Sequence, residues 1–106
     1  MGEWHLEHRD QLQRRYVDAL MDLGARHLKE ERHERAAEAF RRVLVRDGLH
    51  EQALQELMRC HVALGERPQA LRLYRQYANR LRAEFETEPR VDTVRLFERL
   101  KQGAGA

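Results

Sequence analysis

A single cysteine, Cys60, rules out an intramolecular disulfide in a chain of 106 residues, and it is expected to pack as a small hydrophobe. Proline is nearly absent: Pro68 and Pro89 are the only two, so little in the backbone opposes long helices. No run of 18 or more apolar residues occurs, and the opening MGEWHLEHRD lacks the apolar centre of a secretory signal. With one unpaired cysteine, this implies a cytoplasmic protein with no membrane span. An excess of one charge is missing too. Twenty basic against eighteen acidic side chains leave +2, too little to imply a polyanionic partner. Nor is there a glycine-rich phosphate loop or a nucleophile beside an evident base, and the paired acids Glu30 and Glu31 lie in turn sequence. No catalytic residue and no cofactor is expected. Of the six histidines, His5 and His8 stand three apart, but neither has the carboxylate or cysteine spacing of a zinc motif, so no metal site is expected.

What the chain does contain is helix-forming. Charged residues make up 36% and hydrophobic residues 42%, enough apolar side chain to offset the entropy of ordering one domain. The segments 17–50 and 51–84 match at an offset of 34: Leu20 falls on Leu54, Leu23 on Leu57, His27 on His61, Ala36 on Ala70 and Phe40 on Tyr74. A period of that length, with a small residue four places before an aromatic in its second half, marks a helix-turn-helix unit of the tetratricopeptide kind. The expected fold is all-α: a tetratricopeptide-like right-handed helical solenoid of about five helices in a single domain, 1–106. It comprises repeat one at 17–50, repeat two at 51–84, a capping helix at 91–101 and a frayed tail at 102–106. His27 and His61, at equivalent positions, are expected to be packing residues.

Trp4, Leu6, Leu12, Tyr16, Leu20, Leu23, His27 and Leu28 lie on one stripe of a first helix from about Trp4 to Glu30. Gly24 inside it implies close helix packing, with a kink as the alternative. A second helix is predicted from about Glu34 to Arg46, with Ala36, Ala37, Phe40, Val43 and Leu44 inward; Asp47 and Gly48 end it, the glycine in the left-handed conformation. The third runs from about Glu51 to Leu64 with Leu54, Leu57, Met58, His61 and Val62 inward, and Gly65 stops it. Pro68 opens a fourth, to about Arg82, burying Ala70, Leu71, Leu73, Tyr74, Tyr77 and Leu81. Glu88-Pro89 breaks the helical run, and a last helix from about Val91 to Lys101 presents Val94, Leu96, Phe97 and Leu100 over the second repeat.

With the repeat placed, the chain resembles the bacterial transcriptional activator domain. The resemblance rests on "LHEQAL" after an acidic turn, "ELM", the "ALGERPQAL" turn, "LYRQY", and an "EP" step before "LFERL", and it covers roughly Tyr16 to Leu100. The family usually has proline where Gly48 stands, glycine near Glu86, and a serine cap followed by proline at Arg90 and Val91. The path from Phe85 to Asp92 is therefore the least determined. The resemblance implies a non-catalytic module of a bacterial transcription regulator that binds other protein domains, such as an adjacent winged-helix DNA-binding domain or the transcription machinery. The 106 residues, expected to be either an excised domain or a stand-alone relative, include no winged-helix sequence, so DNA binding is not carried over.

In tetratricopeptide stacks the first helix of each repeat lines a concave face. Counting from the start of each unit gives Asp18, Met21, Ala25 and Leu28, then Gln52, Gln55, Arg59 and Val62 as the candidate partner-binding strip. The competing expectation is that a solenoid this short fills its own concavity. Arg32, Arg35, Arg41, Arg42 and Arg46, then Arg67, Arg72, Arg75, Arg80 and Arg82, are interleaved with Glu34, Glu38, Glu84 and Glu86 and are expected to form solvated faces rather than a nucleic-acid surface. A stand-alone adaptor binding a peptide or helix is the alternative function. Trp4 and Leu6 extend the first helix beyond its repeat, so a homodimer could cover them.

Overall fold

A computed structural model describes the backbone of residues 2–103 and side chains from Arg9 to Gly103. The expectations for Trp4, His5, Leu6 and His8, and for residues 104–106 of the tail, lie outside these. Five helices follow one another: α1 Gly2–Lys29, α2 His33–Arg46, α3 Glu51–Ala63, α4 Arg67–Phe85 and α5 Val91–Lys101. Each of the first four packs on the next, and α5 lies on α3 and α4. This is the all-α, tetratricopeptide-like arrangement expected from the 34-residue period.

The inward positions of the two hairpins largely superpose. Leu20 and Leu54, Ala36 and Ala70, and Phe40 and Tyr74 are all buried. Gly24 sits inside α1, which runs through it without a break. A Cβ built there would lie 2.5 Å from Phe40 Cζ, so the missing side chain is what lets the buried ring seat against the α1 backbone. Ala36, Ala37, Phe40, Leu57 and Cys60 join the hairpins, with Met21 and Leu28 packed alongside.

The turns repeat as closely as the core does. After α3, Glu66 N–H donates to His61 O at 2.7 Å and Gly65 N–H to Val62 O at 3.0 Å, with Gly65 at φ 78°. This is a Schellman close, in which a left-handed residue lets two later amides satisfy carbonyls of the last turn. Thirty-four residues earlier Arg32 N–H donates to His27 O at 2.8 Å and Glu31 N–H to Leu28 O at 3.0 Å, with Glu31 at φ 58°. Glu31 thus holds the conformation that Gly65 adopts at no steric cost. Glu31→Gly is expected to raise stability by about 1 kcal/mol, because the Cβ penalty of the left-handed region disappears. A higher urea midpoint at unchanged slope is the result to look for.

Three expectations need correction. Leu12, Tyr16 and Leu23 do not face inward: they are 52%, 41% and 42% exposed, whereas Leu57, the repeat partner of Leu23, is 1% exposed. Leu57 packs on the preceding hairpin through Ala36, Ala37 and Phe40, and among the described residues Leu23 has no preceding hairpin. The buried stripe of α1 is rotated accordingly, to Val17, Leu20 and Gly24, with Met21 and Leu28 half-buried. Gly48 does not take the left-handed conformation; α2 ends at Asp47 in extended backbone, whose N–H still donates to Val43 O, and Gly48 instead leaves room for the Arg80 guanidinium. Finally α4 continues to Phe85, past Arg82, because nothing before Glu86 breaks it and Arg80 pairs with Glu84 one turn on.

The junction at 85–92 finds substitutes for the residues it lacks. Glu86 takes the left-handed cap itself, at φ 52°. Arg82 grips Glu88 with two nitrogens, at 2.7 and 2.9 Å. Arg90 offers no side-chain cap to α5, but Glu51 Oε2 accepts its backbone N–H at 2.6 Å. The other oxygen of Glu51 accepts the Tyr77 hydroxyl at 2.9 Å, so one carboxylate ties α3 to α4 and to the start of α5.

Candidate partner-binding surface

The strip counted out from the repeat lies on α1 and α3, which α2 holds apart and in register by packing against both. On α1, Asp18 and Ala25 are exposed, while Met21 and Leu28 are half-buried. Those two form an apolar floor, leaning on clusters that include Ala53, Leu57 and Cys60 of α3. On α3, Gln52 is exposed and Arg59 half-buried. Both donate to Glu56 Oε1, at 3.1 and 2.8 Å, so the α3 edge is a fixed row of amide, carboxylate and guanidinium one turn apart. Beside Asp18 a shallow hollow of about 340 Å³ opens between Arg14, Arg46 and His50.

Gln55 does not belong to this surface. It is 4% exposed, and its Nε2 donates to Thr93 Oγ1 at 2.7 Å and to Asp92 Oδ2 at 3.1 Å. Burying an amide is tolerable only when its hydrogen bonds are made inside, and α5 supplies them. Val62 is likewise half-buried, packed on the cluster that holds Leu96 and Leu100 of α5. The last helix therefore covers Gln55 and Val62, and the strip residues it leaves uncovered are Asp18, Met21, Ala25, Leu28, Gln52 and Arg59, with Glu56 beside them. Glu56 follows Gln52 by four positions on the same face, a signal present in the sequence. Thr93, fully buried, gave none.

Charge on the outer faces of α2, α4 and the start of α5 is balanced in pairs. Glu38 pairs with Arg41 and Arg42, Arg80 with Glu84, and Arg90 with Asp92. The Arg90 guanidinium first, and the Gln55 amide second, hold the Asp92 carboxyl well below its ordinary range. Arg82 similarly lowers Glu88. Buried His61 sets Nδ1 2.8 Å from Glu66 Oε1, and His27 is half-buried, its Nδ1 without a hydrogen-bond partner among the described residues; this degree of burial fits packing residues. Among the described residues no three His, Cys, Asp or Glu side chains form a metal-sized cluster. Burial, reinforced by Glu56 and opposed by Arg41, pushes the Cys60 thiol up to about 11.

The family model of the bacterial transcriptional activator domain matches residues 1–101. The chain belongs to the bacterial transcriptional activator domain family. No curated protein and no solved structure matches it. This activator domain is thus a regulatory one by family, and no described helix is long and apolar enough to cross a membrane.

The pH response of the activator domain follows from two buried groups and two exposed, paired carboxylates. The Cys60 thiol ionises from 9.0 in the unfolded chain but only near 11 when folded, so the stability tied to the neutral thiol is fully present below pH 9 and lost between 9 and about 11. Tyr77, raised by burial and then by its bond to Glu51, extends the loss upward from its ordinary 10.0. Asp92 and Glu88 act oppositely: their contribution is present above the ordinary carboxylate values and fades as pH falls through and below them. Urea midpoints measured from pH 6 to 11 are expected to hold up to pH 9 and then fall. In Cys60→Ala the fall is shallower.

Proposed function

We propose that this activator domain works as a non-catalytic, cytoplasmic protein-interaction module of a bacterial transcriptional regulator, docking another protein domain along the strip Asp18, Met21, Ala25, Leu28, Gln52 and Arg59. The observation that carries this reading is the composition of the strip. A half-buried apolar floor on one rigid helix faces a hydrogen-bonded polar row on another, which offers a partner helix both an apolar seat and oriented donors and acceptors. The partner suggested by the family is the transcription machinery or a winged-helix DNA-binding domain.

Amide spectra of the labelled chain, titrated separately with bacterial RNA polymerase holoenzyme and with a winged-helix domain from a family regulator, test the reading. Perturbations should gather on residues 18–28 and 52–59, and Ala25→Arg with Arg59→Glu should weaken binding at least tenfold, since both put bulk or the wrong charge on the strip. Binding that maps elsewhere, or that survives the double substitution, contradicts the docking face. Binding of an isolated amphipathic helix with neither transcription partner bound would favour the stand-alone adaptor.

A further inference from the structure

On the side of α1 turned away from α3, Leu12, Tyr16, Ala19 and Leu23 are all exposed. Their spacing is four, three, four, the seam of a two-stranded coiled coil. Beside Leu23 the seam opens into a hollow of about 200 Å³ lined by Leu20, His27 and Ala39 together with the charged side chains of Arg35, Glu38 and Arg42. The Arg46 guanidinium lies 5.0 Å from the centre of the Tyr16 ring, which steadies that side chain at the helix surface. Along the edge of the seam stand two exposed charges seven residues apart, Arg15 and Asp22.

These side chains complement their own reversed copy. Two α1 helices laid antiparallel about an axis beside Val17 and Asp18 set each Leu12 against the second copy's Leu23 and each Tyr16 against the second copy's Ala19. Large meets small at the centre, and each Leu12 lies at the mouth of the hollow beside Leu23. The same register brings each Arg15 to within two residues, about 3 Å along the axis, of level with the second copy's Asp22, on the same edge of the seam and within reach of the long arginine side chain, once on each side of the axis. A parallel pair does neither: it stacks tyrosine on tyrosine and alanine on alanine, leaving crowding at one layer and a gap at the next.

We propose that the activator domain self-associates as an antiparallel α1–α1 homodimer through Leu12, Tyr16, Ala19 and Leu23, with Arg15 and Asp22 fixing its direction. The proposal deepens the interaction reading by naming a second copy as one partner, and rests on that reading, but on a different face from the Asp18 to Arg59 strip. The seam covers about three helical turns, so the dimer is a weak one, in the micromolar range.

Sedimentation equilibrium on the full chain from 5 to 500 µM at low salt tests it. The wild type should fit a reversible dimer. Leu23→Glu should abolish the dimer without lowering the urea midpoint, because Leu23 is exposed in the monomer. Arg15→Asp or Asp22→Arg alone should weaken association several-fold, and the two together, which restore both pairs with signs exchanged, should recover it. A wild type that stays monomeric at 500 µM, a dimer indifferent to Leu23→Glu, or a charge exchange that fails to restore association would each overturn the proposal. The same Leu23→Glu protein, titrated with the transcription partners, keeps the readings apart: partner binding through the strip survives loss of the dimer, and its absence there counts against the interaction reading instead.

Discussion

Phe40→Ala is expected to cost about 3–5 kcal/mol, the range for removing a fully buried aromatic ring from a packed interior. A domain of this size has a total stability of about 5–15 kcal/mol, so the variant stands near unfolding at 37 °C. The ring is 1% exposed and seats on α1 at Gly24, in the cluster that joins the two hairpins. That contact makes the sign of a second substitution depend on the first. Alone, Gly24→Ala forces a Cβ to within 2.5 to 2.9 Å of three ring carbons, and overpacking of this kind costs about 1–3 kcal/mol. With Phe40 cut back to alanine the obstruction is gone, and the same change should stabilise by up to about 1 kcal/mol, the ordinary helix preference for alanine over glycine. Urea unfolding of the four proteins in the cycle checks the reversal; additive effects would mean the ring does not rest on Gly24.

Leu100→Ala is expected to cost about 2–5 kcal/mol, although it lies near the end of the described chain. Leu100 is fully buried in the cluster that also holds Leu54 and Met58 of α3 and Tyr74, Tyr77 and Leu81 of α4. Within the same cluster Tyr74 and Phe97 stack at 4.0 Å. If α5 is part of the interior rather than an appendage, the variant lowers the single transition of the whole chain. Loss of α5 alone, seen as a separate early transition with the remaining helices unaffected, would mean α1 to α4 are complete without it.

The five helices were legible because the sequence marks their ends with residues whose chemistry is local. Gly65 closes α3, Pro68 opens α4, and Glu88-Pro89 separates α4 from a helix that begins at Val91 as expected. Glu31 and Glu86 were harder to read, since each holds a left-handed backbone that no side-chain preference announces. Periodicity also showed that α1 has an apolar stripe without showing how much of it has a neighbour. Leu23 and Leu57 are the same residue in the same place of the repeat, yet only Leu57 has a hairpin before it, and end effects of this sort are not written in the repeat itself. The candidate strip was found by counting positions. Counting could not exclude Gln55, because its partners Asp92 and Thr93 are reached only once α5 folds back over α3.

Both proposed surfaces, the α1/α3 strip and the α1 seam, depend on the hairpins stacking into one interior. Nuclear Overhauser contacts in the labelled chain measure that most directly, because the α1 seam, free or paired with a second copy, lies away from α3. Cross-peaks are predicted from the Phe40 ring to the Gly24 α-protons and from the Tyr74 ring to the Phe97 ring, with none from the Leu23 methyls to any residue of α3. Contacts from Leu23 into α3, or a Phe40 ring without a neighbour on α1, would contradict the account.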